Sequence, residues 1–268
     1  MRYALKFAYD GSSFHGYARQ PNLVTVEGEI IRTLQELNLI VDTKTNKFRS
    51  ASRTDKGVSA MGNVVAFDCY YDLSIDVLKD LNKNMHDIWM YGIRKVKPGF
   101  HPRRMALLRH YRYFLKIKEG FDVDRFLETA SLFTGEHNFK NFARIEGRRN
   151  PVRKIENIFV EEINEDMLAI DFLAPTFVWQ QVRRIISAMY NVAMGKVDIN
   201  DVEYALKNPD ERRFFGIAPP ENLILVDVKF DFEFEFDENF VKKAREVEEK
   251  TIKRAMTDNL DRRRFSCR

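Results

Sequence analysis

The chain has 268 residues, of which 44% are hydrophobic and 31% are charged, and its formal net charge is +4 at pH 7. This composition is typical of an ordinary globular protein of one or two domains. It contains no run of about 18 apolar residues, which excludes a membrane-spanning helix. The net charge alone is too small to indicate a nucleic-acid partner.

The cysteines and histidines give no sign of a metal site. Cys69 and Cys267 lie far apart and match no zinc spacing, so we expect reduced thiols in a cytoplasmic protein. The five histidines form no cluster at ligand spacing, and the glycine-rich motifs that bind nucleotides are absent from the sequence. Lys6 and Asp10 interrupt the apolar start of the chain, which predicts no secretory signal. We therefore expect neither a metal nor a cofactor.

The first half of the chain has the pattern of an α+β fold. Alternating apolar residues predict a strand from Tyr3 to Tyr9, and a helix begins at about residue 25 or 26 with acidic residues in its first turn. Strands at Asn63–Phe67 and Trp89–Val96 lie on either side of a second helix, for which Ser74 is the predicted N-cap.

The second half repeats this content. In chain order, its predicted elements are a strand from Tyr111 to Ile117, a helix over 124–133, a hairpin of strands 155–163 and 167–173, a helix from Phe177 to Gly195, a phenylalanine-rich strand over 228–236 and a charged helix over 237–256. Two halves of similar content predict a structural pseudo-repeat, with an N-terminal half over 1–105 and a C-terminal half over 106–268.

A charged loop precedes the strand at Asn63. The segment Ser52-Arg53-Thr54-Asp55-Lys56-Gly57 places one carboxylate between an arginine and a lysine. Neighbouring cations favour the ionised form of a carboxylate, which can act as a nucleophile or a base. On local chemistry alone, however, a solvent-exposed turn is the more common explanation of such a segment.

Basic residues are grouped along the chain. One group contains Arg103, Arg104, Arg109 and Arg112, and a second contains Arg144, Arg148, Arg149, Arg153 and Lys154, with further arginines at 183–184, 212–213 and 262–264. Aromatic residues lie among the first two groups, and arginine interleaved with aromatic rings suits phosphate contact and base stacking. The alternative is that these arginines are solvated or paired with the acidic residues.

Several of these segments together resemble one family. Arg53-Thr54-Asp55-Lys56-Gly57-Val58 resembles the catalytic signature Arg-Thr-Asp-x-Gly-Val of the TruA family of tRNA pseudouridine synthases. Further matches follow in chain order, and they are Tyr9–Tyr17, Phe100–Arg103 with Arg109–Tyr113, Gly135–Phe139, Phe177–Arg183 and 218–225. The chain departs from the family pattern at Ser52 and Ser59, and Trp179-Gln180 stands where a His-His pair is usual.

The resemblance implies a fold, an activity and partners. The fold is α+β, with two ferredoxin-like halves whose antiparallel sheets join across a central cleft. The activity is the cofactor-free isomerisation of uridine to pseudouridine in the anticodon stem-loop of tRNA, at positions 38 to 40. The resemblance also implies a homodimer, and the apolar faces of the helix over 237–256 and of the strand before it need covering.

The resemblance also assigns roles to four residues. Asp55 is the catalytic carboxylate, which either attacks C1′ of the ribose or removes a sugar proton. Tyr111 lies beside the target base and acts by stacking or by proton transfer. Arg183 pairs with Asp55, with Arg184 as the alternative partner. Arg53 contacts the flipped-out RNA.

Two other classes of function compete with this interpretation. An RNA-binding module without activity would have no use for a carboxylate held near RNA phosphates. A metal-dependent RNA hydrolase would need several carboxylates or histidines at ligand spacing, and the sequence has none.

Overall fold

The computed structural model describes residues 1–147 and 149–257. The predicted basic residues Arg148 and Arg262–Arg264, and the thiol of Cys267, lie outside the described residues. The strands are β1 (Arg2–Tyr9), β2 (Arg49–Ser50), β3 (Ser59–Asp68), β4 (Ile88–Val96), β5 (Leu108–Lys116), β6 (Gly135–Asn138), β7 (Val152–Ile155), β8 (Asn157–Asn164), β9 (Met167–Ala174), β10 (Leu223–Lys229) and β11 (Glu235–Phe236). The α-helices are α1 (Val26–Glu36), α2 (Val77–Lys83), α3 (Pro102–Met105), α4 (Val123–Ser131), α5 (Gln181–Ala193), α6 (Ile199–Lys207) and α7 (Glu238–Thr257).

The chain forms two compact units. The first contains Met1–Leu108 and Ile224–Lys253, and the second contains Arg109–Leu223 with the described residues 254–257. The segment Ile224–Lys253 therefore clusters with the N-terminal residues, whereas the division at residue 105 places it in the C-terminal half. How these units correspond to domains stays a prediction.

The N-terminal unit is built on a mixed sheet. Its strands lie in the order β11-β4-β1-β3-β10, and β2 pairs with β3. β1 is antiparallel to both β3 and β4, but β10 runs parallel to β3, with Ile224 opposite Ser59. The α+β class is therefore confirmed, and the expectation of purely antiparallel sheets is wrong because β10 enters this sheet in the direction of β3.

Two helices of the N-terminal unit test a predicted helix start and a predicted cap. Thr25 accepts a hydrogen bond at its Oγ1 from the backbone N–H of Gly28, and α1 starts at the next residue, as predicted. The predicted cap at Ser74 is wrong, because α2 starts only at Val77. Ser74 instead closes the preceding turn, where its hydroxyl oxygen accepts from the N–H of Asp76.

The phenylalanine-rich segment does not form the predicted strand over 228–236. β10 ends at Lys229, and the chain re-enters the sheet only at β11. Phe230 and Phe232 stack on each other at 5.3 Å between ring centroids, and both meet the edge or face of Phe100 at 5.4 and 5.5 Å. Packing of the rings on Phe100 therefore replaces the backbone ladder that the alternation predicts.

Helix α7 confirms the predicted charged helix, and its apolar face is covered within the chain. Ala244 and Val247 are buried, and the ammonium of Lys250 lies 5.3 Å from the ring centroid of Trp89. This face therefore gives no reason to expect a partner subunit. No helix in the described part of the chain is both long enough and apolar enough to cross a membrane.

The C-terminal unit combines a hairpin with three helices. β9 pairs antiparallel with both β8 and β5, which confirms the predicted hairpin and the strand at Tyr111. Helix α5 begins at Gln181 rather than Phe177, because Gln180 has φ +62° and cannot continue a right-handed helix. It ends as predicted, with Gly195 at φ +65° just beyond the last turn.

Candidate functional site

The predicted catalytic loop joins β2 to β3. The side chain of Asn63 on β3 accepts from the N–H of Ser52 at 3.2 Å and donates to its carbonyl at 3.1 Å, which fixes the start of the loop. The end is a turn in which the N–H of Val58 donates to the carbonyl of Asp55, and Gly57 adopts φ +87°. Asp55 therefore lies in a loop that is fixed at both ends.

The last residue of β1 and the segment between β1 and α1 pack against this loop. The hydroxyls of Tyr9 and Thr54 share a hydrogen bond of 2.7 Å, and the N–H of Tyr17 donates to the carbonyl of Thr54 at 3.2 Å. Gly11 donates its N–H to the hydroxyl of Ser59 at 3.0 Å. The two sequence segments with the first family matches are thus in direct contact.

Close backbone packing explains the glycine at position 11. A Cβ at Gly11 would lie 2.2 Å from the carbonyl oxygen of Val58, which is closer than any side chain tolerates. Buried Tyr9 and Tyr17 lie beside this contact, with 6.1 Å between their ring centroids. Burial, with the negative charge of Glu27, raises the pKa of Tyr17 well above its usual value, so this ring stays neutral.

Exposure differs among the charged residues of the loop. Arg53 and Lys56 are exposed, whereas Asp55 is half-buried between them. The two cations are therefore accessible to a polyanion, and the carboxylate of Asp55 is less exposed to solvent than they are. This arrangement suits a carboxylate that acts on a substrate held by its phosphates.

Tyr111 lies on β5 in the C-terminal unit. It is 9% exposed, and its ring packs edge-on against Phe177 with 5.3 Å between centroids. Tyr113 points to the same side of the strand and is fully buried. Tyr113 is thus a core residue, whereas Tyr111 retains a small accessible edge.

The opposite face of β5 carries an ion cluster that the sequence analysis missed. Arg112 donates through Nε and Nη2 to both carboxylate oxygens of Asp171 at 2.8 Å, and His110 Nε2 lies 2.6 Å from Oδ1. Burial by itself raises the pKa of Asp171, but the hydrogen bonds from His110 and Arg112 outweigh it and lower the pKa to about 2. The signal available in the sequence was the spacing of 110 and 112 on one face of a strand.

Arg183 lies in the first turn of α5 and is half-buried. Its Nε donates to the carbonyl of Ala218 at 2.8 Å, while the N–H of Ala218 donates back to the carbonyl of Arg183 at 3.0 Å. The guanidinium is therefore held by the segment that begins the last family match. Burial, with the positive charges of Arg144, Arg183 and Arg212, lowers the pKa of neighbouring Arg184.

The predicted residues divide between the two units. Asp55 and Arg53 belong to the N-terminal unit, and Tyr111 and Arg183 belong to the C-terminal unit. Within its own unit, Asp55 lies in a loop fixed at both ends, Tyr111 packs against Phe177, and Arg183 donates to Ala218. Among the described residues, no group of three or more His, Cys, Asp or Glu side chains is placed to hold a metal ion.

The predicted basic groups are only partly surface features. Arg103, Arg104, Arg144 and Arg149 are exposed. In contrast, Arg109 is buried and donates to the carbonyl of Pro175, and Arg112 belongs to the Asp171 cluster. Arg109 and Arg112 therefore make contacts within the protein.

Comparison with known proteins assigns the chain to a family. A family model described as tRNA pseudouridine synthase matches residues 129–231. The tRNA pseudouridine synthase A of Thermococcus kodakarensis is 41% identical over 258 residues, which are 96% of both chains. That of Pyrococcus abyssi is 40% identical over 96% of this chain and 95% of its own, and that of Methanosphaera stadtmanae is 40% identical over 85% and 84%.

Among solved structures, a Cbf5-Nop10-Gar1 complex aligns with 70% of this chain at 16% identity and a TM-score of 0.36. This chain spans 45% of that chain's length.

Proposed function

This chain belongs to the tRNA pseudouridine synthase A family, and we propose that the carboxylate of Asp55 carries out its reaction on tRNA. The protein is a tRNA pseudouridine synthase, an isomerase. The observation that supports Asp55 is its place in the Arg53-Thr54-Asp55 segment, half-buried in a loop fixed by Asn63 and by Tyr9. A fixed carboxylate keeps its geometry when a substrate arrives, which is what catalysis by positioning requires.

The chemistry of the reaction suits a single carboxylate. Formation of pseudouridine breaks the N1–C1′ bond, turns the base and joins C5 to C1′, so nothing is oxidised and no group leaves. Asp55 either attacks C1′ as a nucleophile or removes a proton from the sugar as a base. Both roles need an ionised carboxylate.

The remaining assignments extend the site to three more residues. We propose that exposed Arg53 contacts the RNA backbone, and that Tyr111 lies against the target base through its accessible edge. Arg183 pairs with Asp55, since a planar and permanently charged guanidinium holds a carboxylate at two points. The bond from its Nε to Ala218 supports this role because it limits the orientations of the guanidinium.

The wider features rest on the family resemblance. We propose two ferredoxin-like halves joined across a central cleft, divided near residue 105. We also propose action at positions 38 to 40 of the tRNA anticodon stem-loop, a homodimer, and a cytoplasmic location where tRNA is available. The covered apolar face of α7 gives the homodimer no support of its own.

The test is conversion of an unmodified tRNA transcript without added metal or nucleotide. Asp55→Asn keeps the shape of the side chain but removes its charge, so we expect conversion to be abolished and tRNA affinity to stay within a few-fold. Asp80→Asn is the matched control, because Asp80 is an exposed partner of Lys83 on α2. Retained turnover in Asp55→Asn, measured by base analysis of the RNA, would remove Asp55 from the mechanism.

Two further measurements test the finer proposals. Mapping of the converted uridines decides whether they lie at positions 38 to 40. Light scattering decides the oligomeric state, because a mass near the 31.6 kDa of one chain with full activity would exclude an obligatory homodimer.

A further inference from the structure

A pocket of about 540 Å3 lies within the C-terminal unit, and Arg184, the neighbour of Arg183 on α5, is one of its lining residues. Its walls are the segment 140–145, the first turn of α5 through Arg184, and the loop 209–214. The cations that line it are Lys140, Arg144, Arg184, Arg212 and Arg213, and the one carboxylate among the lining residues is that of Asp210.

Most of this positive charge is not neutralised by ion pairs within the described part of the chain. Lys140 pairs with Asp210 at 2.8 Å, and Arg213 lies 3.6 Å from Asp201. Within the described residues, Arg144, Arg184 and Arg212 form no ion pair. Three guanidiniums thus share one pocket whose one lining carboxylate, Asp210, pairs with Lys140, and burial together with the charges of Arg144, Arg183 and Arg212 lowers the pKa of Arg184. A bound anion relieves this repulsion.

Two of the three guanidiniums are also positioned. Arg144 lies over the ring of Trp179 at 4.2 Å, and Arg184 lies over Phe214 at 5.0 Å while donating to Gln180 at 3.2 and 3.4 Å. Stacking on a ring holds the plane of a guanidinium and leaves its N–H edge available for bonds in that plane. Such an edge matches two oxygens of a phosphate.

A buried side chain holds the wall that carries Arg212. Asn141 donates through Nδ2 to the carbonyls of Ala205 and Glu211 at 3.0 Å, and its Oδ1 accepts from the N–H of Arg213 at 3.0 Å. From the other side, Ser187 and Asn191 on α5 donate to the carbonyl of Phe215. The loop 209–214 is therefore anchored at both ends, so the pocket is formed before any ligand binds.

We propose that this pocket binds a phosphodiester group of the tRNA backbone, through the guanidinium edges of Arg144, Arg184 and Arg212. The proposal rests on the proposed function for the identity of the anion, because the negative charge of an RNA substrate is carried by its phosphodiester groups. The contact positions the RNA and reads no base, since phosphate contacts carry no sequence information of their own. Its role is in affinity, not in the chemical step.

The experiment measures tRNA binding as a function of salt. Arg212→Gln is the primary variant, because Arg212 is exposed and its loss does not endanger folding, and Arg144→Gln/Arg212→Gln is the second. Arg125→Gln on α4 removes the same charge from an exposed residue outside the pocket and is the matched control. The probe is an unmodified tRNA transcript, with turnover measured on the same preparations.

We expect the double variant to bind tRNA roughly tenfold or more weakly than wild type. The slope of log K against log salt becomes shallower by about 0.7 to 0.9 for each phosphate that the variant no longer neutralises. KM rises while kcat at saturating tRNA stays within about twofold, and Arg125→Gln changes neither slope nor KM.

Other results overturn the proposal. Equal slopes in wild type and in both pocket variants, or an equal change in Arg125→Gln, show that the pocket holds no phosphate. A fall in kcat without a rise in KM assigns these arginines to the chemistry instead. These readouts concern binding, so they remain decisive if Asp55→Asn retains turnover and the proposed function fails.

Discussion

The hydroxyl of Tyr9 lies 2.7 Å from the hydroxyl of Thr54, and this hydrogen bond ties the first strand to the residue before Asp55. Tyr9 is fully buried, so its ring cannot follow a movement of the loop. The backbone bond from Tyr17 to the carbonyl of Thr54 acts at the same point. The position of the carboxylate thus depends on residues that lie much earlier in the chain.

We predict that Tyr9→Phe lowers the rate of conversion more than it lowers tRNA affinity. The variant keeps the buried ring and removes one hydrogen bond worth about 1 kcal/mol, which corresponds to roughly fivefold in rate if the loop shifts accordingly. Thr54→Val removes the same bond from the other side, so the double variant is expected to lose little more than either single one. Additive losses in this cycle would show that the two hydroxyls act separately.

Gly11→Ala is predicted to disturb the same loop through its backbone. The added Cβ would lie 2.2 Å from the carbonyl oxygen of Val58, so the backbone must move, at a cost of about 1–3 kcal/mol. Gly120→Ala is the control, because its Cβ meets no atom within 4 Å and only the strain of φ +81° remains. Thermal unfolding is expected to show a loss in both variants, but turnover falls only in Gly11→Ala. Wild-type turnover in a folded Gly11→Ala protein would contradict the packing explanation.

Sequence reasoning succeeded where the determinants are local. The start of α1 at Val26 lies where the acidic residues of its first turn and the spacing of its apolar residues predicted it. It failed where distant residues decide, as in the phenylalanine-rich segment, whose rings pack on Phe100 instead of forming a strand. The hydrogen bond between Tyr9 and Thr54 could not be predicted either. The family matches include both segments, but they do not show that the two segments are in contact.

The late start of α5 and the Asp171 cluster show the same limit. A left-handed Gln180 is not expected from its residue type, since positive φ favours glycine and asparagine. The pairing of Arg112 with Asp171 depends on the register of β5 against β9, which alternation within one strand does not determine. The resemblance could name Tyr111 and Arg183, but not the neighbours that hold them.

Tyr111→Phe is predicted to bind tRNA as wild type does, because the ring and its packing against Phe177 remain. Tyr111→Ala removes the ring, so we expect a loss of about 1–3 kcal/mol in binding if the base stacks there. Turnover of the Phe variant then separates the two roles, since only a proton-carrying hydroxyl makes its rate fall. Tyr113→Phe on the same face is the control. Unchanged binding and turnover in both Tyr111 variants would show that Tyr111 is a core residue with no role in the reaction.

The Asp171 cluster predicts a pH-dependent contribution to stability. The pKa of Asp171 is about 2 in the folded protein, because the hydrogen bonds from His110 and Arg112 outweigh burial, whereas an aspartate in an unfolded chain has a pKa of about 3.9. The ionised carboxylate therefore stabilises the fold by roughly 2 kcal/mol above pH about 4, and this contribution falls between pH about 4 and about 2.

Asp171→Asn is accordingly expected to unfold at lower urea concentration than wild type at pH 7, with the difference shrinking as the pH falls toward 2. Asp166→Asn, in the exposed turn between β8 and β9, is the control and is expected to have little effect at either pH. A destabilisation by Asp171→Asn of equal size at pH 7 and near pH 2 would show that the side chain acts through packing. In that case the charge of Asp171 would not be what holds Arg112 and His110 on this face of β5.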